Sequence, residues 1–237
     1  MNKILKILLD FLIPPTCPAC HKRTDNNGLC PECFSGLEFI GKQKCSVCGQ
    51  PLDAIVPGMA VCGKCLKDPP RFHQAEAVFK YNEIIRKLIL PFKHANKIEL
   101  TELFVRWMSA NSKEMIQKND ILIPVPLHWR RLLKRKYNQS ALITQRLAKR
   151  YGKTYAPLVL IRSKYTPSQG HLSPKDRKKN VQGVFSVKYP DKIKDKSILL
   201  VDDVFTTGAT ADECAKVLLK AGAKSVDVLT VTKVVKN

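Results

Sequence analysis

Two adjacent carboxylates, Asp202 and Asp203, follow an apolar run and stand just before a short stretch rich in hydroxyl groups. That stretch contains three threonines and one glycine: Thr206, Thr207, Thr210 and Gly208. Threonine hydroxyls donate hydrogen bonds, and a glycine lets the backbone turn so that several N–H groups point at one centre, which suits a phosphate. Carboxylates repel phosphate but accept hydrogen bonds from sugar hydroxyls. The pattern therefore predicts a site for a ribose 5-phosphate.

The flanking segments predict the elements that would hold this site. Ile198–Val201 is a continuous apolar run, typical of a strand buried on both faces of a parallel sheet. Ala209–Ala221 has an apolar helical face and stops at Gly222, so it predicts a helix. Ligands of open parallel sheets bind over the carboxyl ends of the strands, where the intervening loop would lie. An ordinary turn capped by Asp and Thr is the plain alternative, but five such residues within nine positions favour a ligand site.

The same stretch resembles the ribose-phosphate fingerprint of the type I phosphoribosyltransferases, which is a hydrophobic run, two acidic residues and then Thr-Thr-Gly-x-Thr. The resemblance implies that Asp202 and Asp203 bind the 2′- and 3′-hydroxyls of phosphoribosyl pyrophosphate. It also implies a set of residues that holds the 5′-phosphate: Thr206, Thr207, Gly208, Ala209 and Thr210.

Eight of the nine cysteines form four Cys-x-x-Cys pairs before residue 66. Two such pairs can complete a tetrahedral zinc site, and one redox protein would hardly need four. We expect two structural zinc sites built from sequential pairs, with crossed pairing between the two ribbons as the alternative. The expected ligands are Cys17, Cys20, Cys30 and Cys33 in the first site, and Cys45, Cys48, Cys62 and Cys65 in the second.

The formal charge of +21 is concentrated in one quarter of the chain. Residues 121–180 hold 15 basic side chains and a single acidic one, Asp176. Scattered solubilising lysines would not produce such a concentration. It predicts a polyanionic partner, which is a pyrophosphate, a nucleic acid or both.

Two cationic segments lie in this quarter. Arg130–Lys136 follows a predicted strand, Ile121–Pro126, and precedes a predicted helix, Ser140–Arg150. Parallel strands would bring this segment to the same sheet edge as the threonine-rich loop, whereas a solvated helix face is the alternative. Residues 163–180 are polar and cationic, and we expect them to form a long loop that acts as a lid. A disordered insertion is the other interpretation.

The remaining pattern indicates an α/β domain at 71–237, with a mainly parallel sheet and helices on both faces. Asp68-Pro69-Pro70 would link it to an N-terminal helix and double zinc ribbon at 1–68. No apolar run approaches the ~20 residues of a membrane span. Further predicted helices are Met1–Pro14, Ile84–Phe92 interrupted by Pro91, and Ile98–Gln117; further predicted strands are Ala75–Tyr81, Leu158–Arg162, Val181–Lys188 and Ser225–Thr232.

Taken in order, the motifs of the whole chain resemble the ComF family, the ComFC-type competence proteins. The double zinc ribbon is followed by Pro-Val-Pro at 124–126. The family's usual Arg-Gly-Phe/Tyr-Asn-Gln reads Arg-Lys-Tyr-Asn-Gln at 135–139. Two further segments precede the ribose-phosphate motif: Gln-Gly-His-Leu-Ser at 169–173 and Asn-Val-Gln-Gly-Val-Phe at 180–185. The resemblance implies a cytoplasmic protein with a phosphoribosyltransferase-like domain that acts with DNA in natural transformation.

The resulting hypothesis is an enzyme that binds phosphoribosyl pyrophosphate with Mg²⁺ and displaces pyrophosphate at the anomeric carbon. Mg²⁺ would be held mostly by ligand oxygens and water. Arg135 and Arg177 would close over the pyrophosphate and stabilise the charge that develops on it. The turn that shapes the pyrophosphate site would comprise Val125, Pro126 and Leu127, beginning at Pro124.

Two other hypotheses stay open. The domain could bind phosphoribosyl pyrophosphate only as a regulatory ligand, while its basic face holds single-stranded DNA during uptake, alone or with other DNA-uptake proteins. Trp129, Tyr137 and Tyr165 would then stack on bases. A nucleobase-salvage phosphoribosyltransferase is the third hypothesis, although no base pocket is evident from the residues.

Overall fold

The computed structural model describes residues 14–24, 28–52, 60–166 and 173–235. Apart from Pro14, the predicted N-terminal helix lies outside these residues, as does the centre of the predicted lid. The helices are α1 (Pro31–Ser35), α2 (Gly63–Lys67), α3 (Glu83–His94), α4 (Leu100–Asn111), α5 (Lys113–Lys118), α6 (Trp129–Arg135), α7 (Gln139–Tyr151), α8 (Pro174–Val181) and α9 (Ala209–Lys220), with a 3₁₀ turn at Pro190–Lys192. The strands are β1 (Gln74–Lys80), β2 (Ile121–Pro124), β3 (Thr154–Tyr155), β4 (Leu160–Arg162), β5 (Phe185–Val187), β6 (Ser197–Phe205) and β7 (Ser225–Lys233).

Five of the strands form one parallel sheet in the order β1-β7-β6-β2-β3. At its centre Leu200 of β6 is in register with Ile123 of β2 and with Val228 of β7. Because all five strands run the same way, their carboxyl ends meet at one edge. The predicted parallel sheet is confirmed, and its central strand is the one that carries the acidic pair.

Alternate residues of β6 enter two separate cores, as the period of a strand requires. Leu199 and Val201 pack in a cluster with residues of α3, α4 and α7. Ile198 and Leu200 pack in a second cluster with residues of α9 and of the antiparallel pair β4–β5. Both faces of the sheet are therefore covered, which explains the unbroken apolar run and confirms helices on both faces.

Two helix predictions were wrong in their limits. Pro91 does not interrupt the first helix, because α3 continues to His94. Proline only removes one hydrogen bond there, and the burial of Leu88, Ile89 and Phe92 holds the helix together. The single helix predicted at Ile98–Gln117 is two helices, because the chain leaves helical geometry at Ser112 (φ −134°, ψ 33°).

The region between β2 and β6 also differs from the prediction. The strand predicted at Leu158–Arg162 lies outside the parallel sheet and pairs antiparallel with β5, while the short β3 takes the place beside β2. Part of the predicted lid is the helix α8, which begins with a proline in its first turn. The hydroxyl of Ser173 caps it by accepting a hydrogen bond from the N–H of Asp176 (3.2 Å), a standard helix start.

The cysteine-rich segment packs against one edge of the sheet. The N–H of Ile40 donates to the carbonyl of Val78 (2.9 Å), and the N–H of Ala75 donates to the carbonyl of Val47 (2.7 Å). Both contacts involve β1, so the segment is anchored on the edge strand. Across the described parts of the chain, none of the helices combines the length and apolarity that crossing a bilayer would require.

Candidate active site and metal centres

The threonine-rich loop joins β6 to α9 at the carboxyl edge of the sheet. Gly208 caps the helix in the left-handed conformation (φ 83°), which a residue with a Cβ rarely adopts. A Cβ at this position would also lie 2.8 Å from the ring of Phe205. Both the backbone conformation and the nearby Phe205 ring therefore require glycine at position 208. The positive amino-terminal end of α9 makes this loop suited to an anion.

The loop residues line two cavities. Thr206, Gly208 and Thr210 line a cavity of about 450 Å³ over the carboxyl edge of the sheet, which we call the sugar-phosphate cavity. A second cavity of about 560 Å³, next to the cysteine-rich segment, is lined by Thr207 and Ala209 and also by Thr206 and Gly208. Three of the five predicted phosphate-binding residues therefore line the sugar-phosphate cavity, whereas Thr207 and Ala209 line only the second one.

Both carboxylates of the acidic pair line the sugar-phosphate cavity. Asp202 accepts a hydrogen bond from the hydroxyl of Ser140 (2.8 Å) and one from the N–H of Asp203 (2.9 Å). Burial, and next the charge of Asp203, raise the pKa of Asp202 to about 7, although Lys93 opposes the shift. Asp203 forms an ion pair with Lys93 (2.8 Å). The pKa of Asp202 is thus raised above the usual range of an aspartate by burial and by its charged neighbour.

Cationic side chains from four separate elements line the same cavity. The predicted Arg135 and Arg177 are among these cations. The predicted turn after β2, with Val125, Pro126 and Leu127, also lines the cavity. Arg131 also lies there and belongs to the cationic segment Arg130–Lys136 that was predicted at this edge, whereas Lys93 and Arg162 were not among the predicted site residues. The cationic wall of the sugar-phosphate cavity consists of Lys93, Arg131, Arg135, Arg162 and Arg177.

Arg162 is the most buried member of this cationic wall, with 8% of its surface exposed. Its Nε atom is buried and has no hydrogen-bond partner, while an Nη atom donates to the hydroxyl of Thr166 (2.6 Å). Burial, and next the charge of Arg131, lower the pKa of Arg162 to about 10, so it remains charged at neutral pH. Among the described residues no carboxylate forms an ion pair with Arg162, so this buried cation favours an anionic ligand.

Three consecutive residues at the start of α7 tie the site together. Asn138 donates to the carbonyl of Val125 (3.0 Å), Gln139 donates to the carbonyl of Lys93 (3.2 Å), and Ser140 donates to Asp202. These bonds join the turn after β2, the end of α3 and the acidic pair to one helix start. The Asn-Gln signal was visible in the sequence, but the partners of the three side chains depend on tertiary structure.

Two residues before this group, the backbone takes an unusual conformation. Lys136 ends α6 in the left-handed region (φ 66°), at the position where the ComF motif usually has glycine. The turn therefore keeps the geometry that glycine favours, at a cost of about 1–2 kcal/mol for a residue with a Cβ.

The eight cysteines form two tetrads with sequential pairing. In each tetrad the four Sγ atoms lie within 4.8 Å of one another. The Sγ atoms of Cys20 and Cys30 are 3.6 Å apart, and those of Cys48 and Cys62 are 3.7 Å apart. Thiolates bound tetrahedrally to zinc at ~2.3 Å are separated by about 3.8 Å. Both tetrads thus fit structural zinc, and crossed pairing is excluded.

An exposed aromatic group lies at the start of α6, beside the cationic wall. Trp129 and Tyr165 are 58% and 53% exposed. The guanidinium of Arg130 lies 5.3 Å from the ring centre of Trp129 and 5.5 Å from that of Tyr165. Tyr137 is not part of this group, because its hydroxyl donates to the carbonyl of Phe92 (2.5 Å) and its ring packs against the core.

Comparison with known proteins identifies a zinc-ribbon domain at the N-terminus and relatives along most of the chain. Residues 8–66 match the family described as Double zinc ribbon domain. The chain is 31% identical to the DNA utilization protein YhgH of Salmonella typhimurium, over 91% of this chain and 96% of that protein. It is 31% identical to Competence protein F of Haemophilus influenzae, over 85% of this chain and 89% of that protein.

Among solved structures, the chain is similar to the glutamine phosphoribosylpyrophosphate amidotransferase of B. subtilis. The identity is 19%, the match covers 56% of this chain and 26% of that chain, and the TM-score is 0.39.

The parallel sheet and the two zinc-fitting tetrads define an α/β protein with a double zinc ribbon, and its acidic pair and threonine-rich loop form the motif that resembles the type I phosphoribosyltransferase fingerprint. The chain belongs to the ComF family of competence and DNA utilization proteins.

Proposed function

We propose that the protein binds phosphoribosyl pyrophosphate with Mg²⁺ and acts on or with single-stranded DNA in natural transformation. The observation that carries this proposal is the convergence of three kinds of group on the sugar-phosphate cavity. The threonine-rich loop suits a phosphate, the acidic pair suits ribose hydroxyls, and the cationic wall suits a pyrophosphate. A sugar with a phosphate at one end and a pyrophosphate at the other needs these three in this order.

The roles follow from the chemistry of each group. Loop N–H groups and threonine hydroxyls would bind the 5′-phosphate, and Asp202 and Asp203 would accept hydrogen bonds from the ribose hydroxyls. The cationic wall would surround the pyrophosphate. Lys93 would move from its ion pair with Asp203 towards the ligand, because a pyrophosphate offers it more negative charge.

The reaction would be displacement of pyrophosphate from the anomeric carbon by an acceptor. The C1–O bond to pyrophosphate breaks, its electron pair leaves with that oxygen, and a bond from the acceptor forms at the same carbon. Arg135 and Arg177, together with Arg162, would stabilise the leaving charge. Mg²⁺ would arrive with the ligand, since among the described residues only the cysteine tetrads bring three or more candidate ligands together.

Binding of phosphoribosyl pyrophosphate tests the proposal by calorimetry. We expect the double variant Asp202→Asn/Asp203→Asn to bind at least about 100-fold more weakly, because two hydrogen-bonding carboxylates are lost. The matched control is Asp191→Asn/Asp195→Asn, which changes two exposed aspartates in the segment just before β6. Equal affinity of the wild type and the site variant would refute the assigned site.

A second candidate function is non-catalytic. The exposed Trp129 and Tyr165 with Arg130 between them form a surface suited to unpaired bases, which favours a DNA-binding protein that uses phosphoribosyl pyrophosphate as a regulatory ligand. Release of pyrophosphate in the presence of single-stranded DNA would support the enzymatic function, and binding without release would support the regulatory one. Formation of a nucleotide when a free nucleobase is supplied as the acceptor would instead indicate a nucleobase-salvage enzyme.

The DNA-binding part has its own prediction. Binding of single-stranded DNA should weaken steeply as salt rises. Trp129→Ala should cost about 1–3 kcal/mol of binding free energy, whereas Leu133→Ala, an exposed apolar change on the same helix, should cost little. Fluorescence anisotropy at several salt concentrations measures both. DNA affinity that is independent of Trp129 would remove the aromatic group from the proposal.

A further inference from the structure

The second zinc ribbon contacts the threonine-rich loop between β6 and α9. The Nζ of Lys64, in α2, donates to the carbonyl oxygen of Thr207 at 2.7 Å, across 143 residues of sequence. Resting on the proposed function, we infer that Lys64 is a positioning residue for phosphate binding, and that metal binding at the second tetrad sets the affinity of the loop for a sugar phosphate.

The geometry of one peptide group carries the first part of this inference. In a trans peptide the C=O and the following N–H point in opposite directions. The Thr207 carbonyl is held on the ribbon side by Lys64, so the N–H of Gly208 points to the other side of the loop. Gly208 lines the second cavity, next to the ribbon, and also the sugar-phosphate cavity, which is the one its N–H would face. Lys64 thereby aims a backbone donor at the place where the phosphate would bind.

The charge of Lys64 adds to its geometric effect. A cation on the carbonyl oxygen polarises the peptide group and strengthens the N–H as a donor, because hydrogen bonds in a chain polarise one another. Lys64 is exposed, and it forms no ion pair with a carboxylate of the described residues. Its hydrogen-bond partner is the loop.

Two further side chains, Lys233 and Phe205, lie between the second tetrad and Gly208. Lys233, at the end of β7, is 4% exposed and lines the second cavity together with Cys48, Cys62 and Cys65. Its Nζ lies 3.9 Å from the ring centre of Phe205. The Phe205 ring in turn closes the space beside Gly208.

Metal binding should control Lys64 because the tetrad holds α2. This helix has only five residues, and two ligands of the second tetrad, Cys62 and Cys65, lie at its start and within it. A helix this short does not persist on its own, and zinc ribbons order on binding metal. Without zinc the ammonium of Lys64 would lose its fixed distance from Thr207.

The test compares binding of ribose 5-phosphate to four full-length, zinc-loaded proteins by calorimetry. We expect Lys64→Met to bind about tenfold more weakly than the wild type, because one charge-assisted hydrogen bond is lost. Lys64→Arg should retain affinity within about threefold, since it keeps the donor and the charge. Lys67→Met removes an exposed lysine of the same helix and should bind like the wild type.

Two readouts separate positioning from general damage. The amide resonance of Gly208 should shift in Lys64→Met but not in Lys67→Met, and zinc content should be unchanged in both. Wild-type affinity in Lys64→Met would overturn the inference. Failure of the wild type itself to bind ribose 5-phosphate or phosphoribosyl pyrophosphate would instead refute the proposed function.

The metal dependence has a separate test. Cys48→Ser/Cys62→Ser should retain one zinc per chain and lose affinity by about the same factor as Lys64→Met. Combining it with Lys64→Met should give no further loss, because both changes break one contact. Additive losses in the combined variant, or unchanged affinity after loss of the second zinc, would show that the tetrad does not act through Lys64.

Discussion

The two cysteine tetrads have the same composition and similar spacing, yet they lie against different parts of the molecule. Three thiols of the first tetrad, those of Cys17, Cys30 and Cys33, are buried in the core cluster shared with α3, α4 and one face of the sheet. In the second tetrad, Cys48, Cys62 and Cys65 line the second cavity, which the threonine-rich loop also lines.

Neighbouring contacts sharpen this difference. Beside the first tetrad, Gly36 approaches the side chain of Ile84 so closely that a Cβ would lie 3.1 Å from it, and Asn82 donates to the Gly36 carbonyl (2.8 Å). Beside the second, Lys64 bonds to Thr207. The same cysteine motif thus packs against the hydrophobic core in the first tetrad and against the threonine-rich loop in the second.

The largest expected effect distinguishes the tetrads by stability. Cys33→Ser removes a ligand that is also part of the core, so we predict a loss of several kcal/mol in the free energy of unfolding. Cys65→Ser should cost less stability but more affinity for ribose 5-phosphate. Urea unfolding, zinc analysis and calorimetry on both variants measure this. Equal losses of stability and of affinity in the two variants would remove the distinction.

A smaller effect should follow from a substitution in the threonine-rich loop itself, with both tetrads intact. Gly208→Ala forces a Cβ into the left-handed region and against Phe205, and we predict about a 10- to 100-fold loss of ribose 5-phosphate affinity. Gly152→Ala is the control, because Gly152 is also left-handed (φ 62°) but has no atom within 4 Å of the added Cβ. It should lose about 1 kcal/mol of stability and no affinity. Similar affinity losses in both variants would contradict the role of the loop.

The third effect concerns the acidic pair, which neither tetrad contacts. An unfolded aspartate ionises near pH 4, whereas the pKa of Asp202 is raised to about 7 in the folded protein. The unfolded chain therefore releases this proton first, and stability falls as the pH rises from about 4 to about 7. Asp202→Asn cannot ionise, so its stability relative to the wild type should increase by about 2 kcal/mol between pH 5.5 and pH 8.

Urea unfolding at the two pH values checks this third prediction. Asp191→Asn, at an exposed site, should show the same pH dependence as the wild type. A stability difference between Asp202→Asn and the wild type that does not change with pH would mean that Asp202 ionises normally.

The part of the site that sequence predicts is local. The run from Ile198 to the threonine-rich loop and α9 follows from burial, turn chemistry and helix stop signals that neighbours along the chain supply. The tetrads follow likewise from the chemistry of paired cysteines, and the structure adds their sequential pairing.

The part that sequence missed depends on contacts between distant segments. Arg162 and Ser140 have no distinguishing local signal, and they reach the cavity only because β4 and α7 pack beside β6. Pro91 continues a helix because packing outweighs one lost hydrogen bond. Ser173 and the proline after it did signal the start of α8, but the charge of the segment favoured a loop.

The central claim is that the threonine-rich loop and the acidic pair together bind the ribose 5-phosphate part of phosphoribosyl pyrophosphate. A crystal structure of the protein with ribose 5-phosphate tests it most directly. We predict phosphate oxygens about 2.7–3.1 Å from N–H groups and hydroxyls of Thr206–Thr210, and ribose hydroxyls at Asp202 and Asp203. Saturating ligand that leaves the loop unoccupied, or a phosphate bound only to the cationic wall, would contradict the claim.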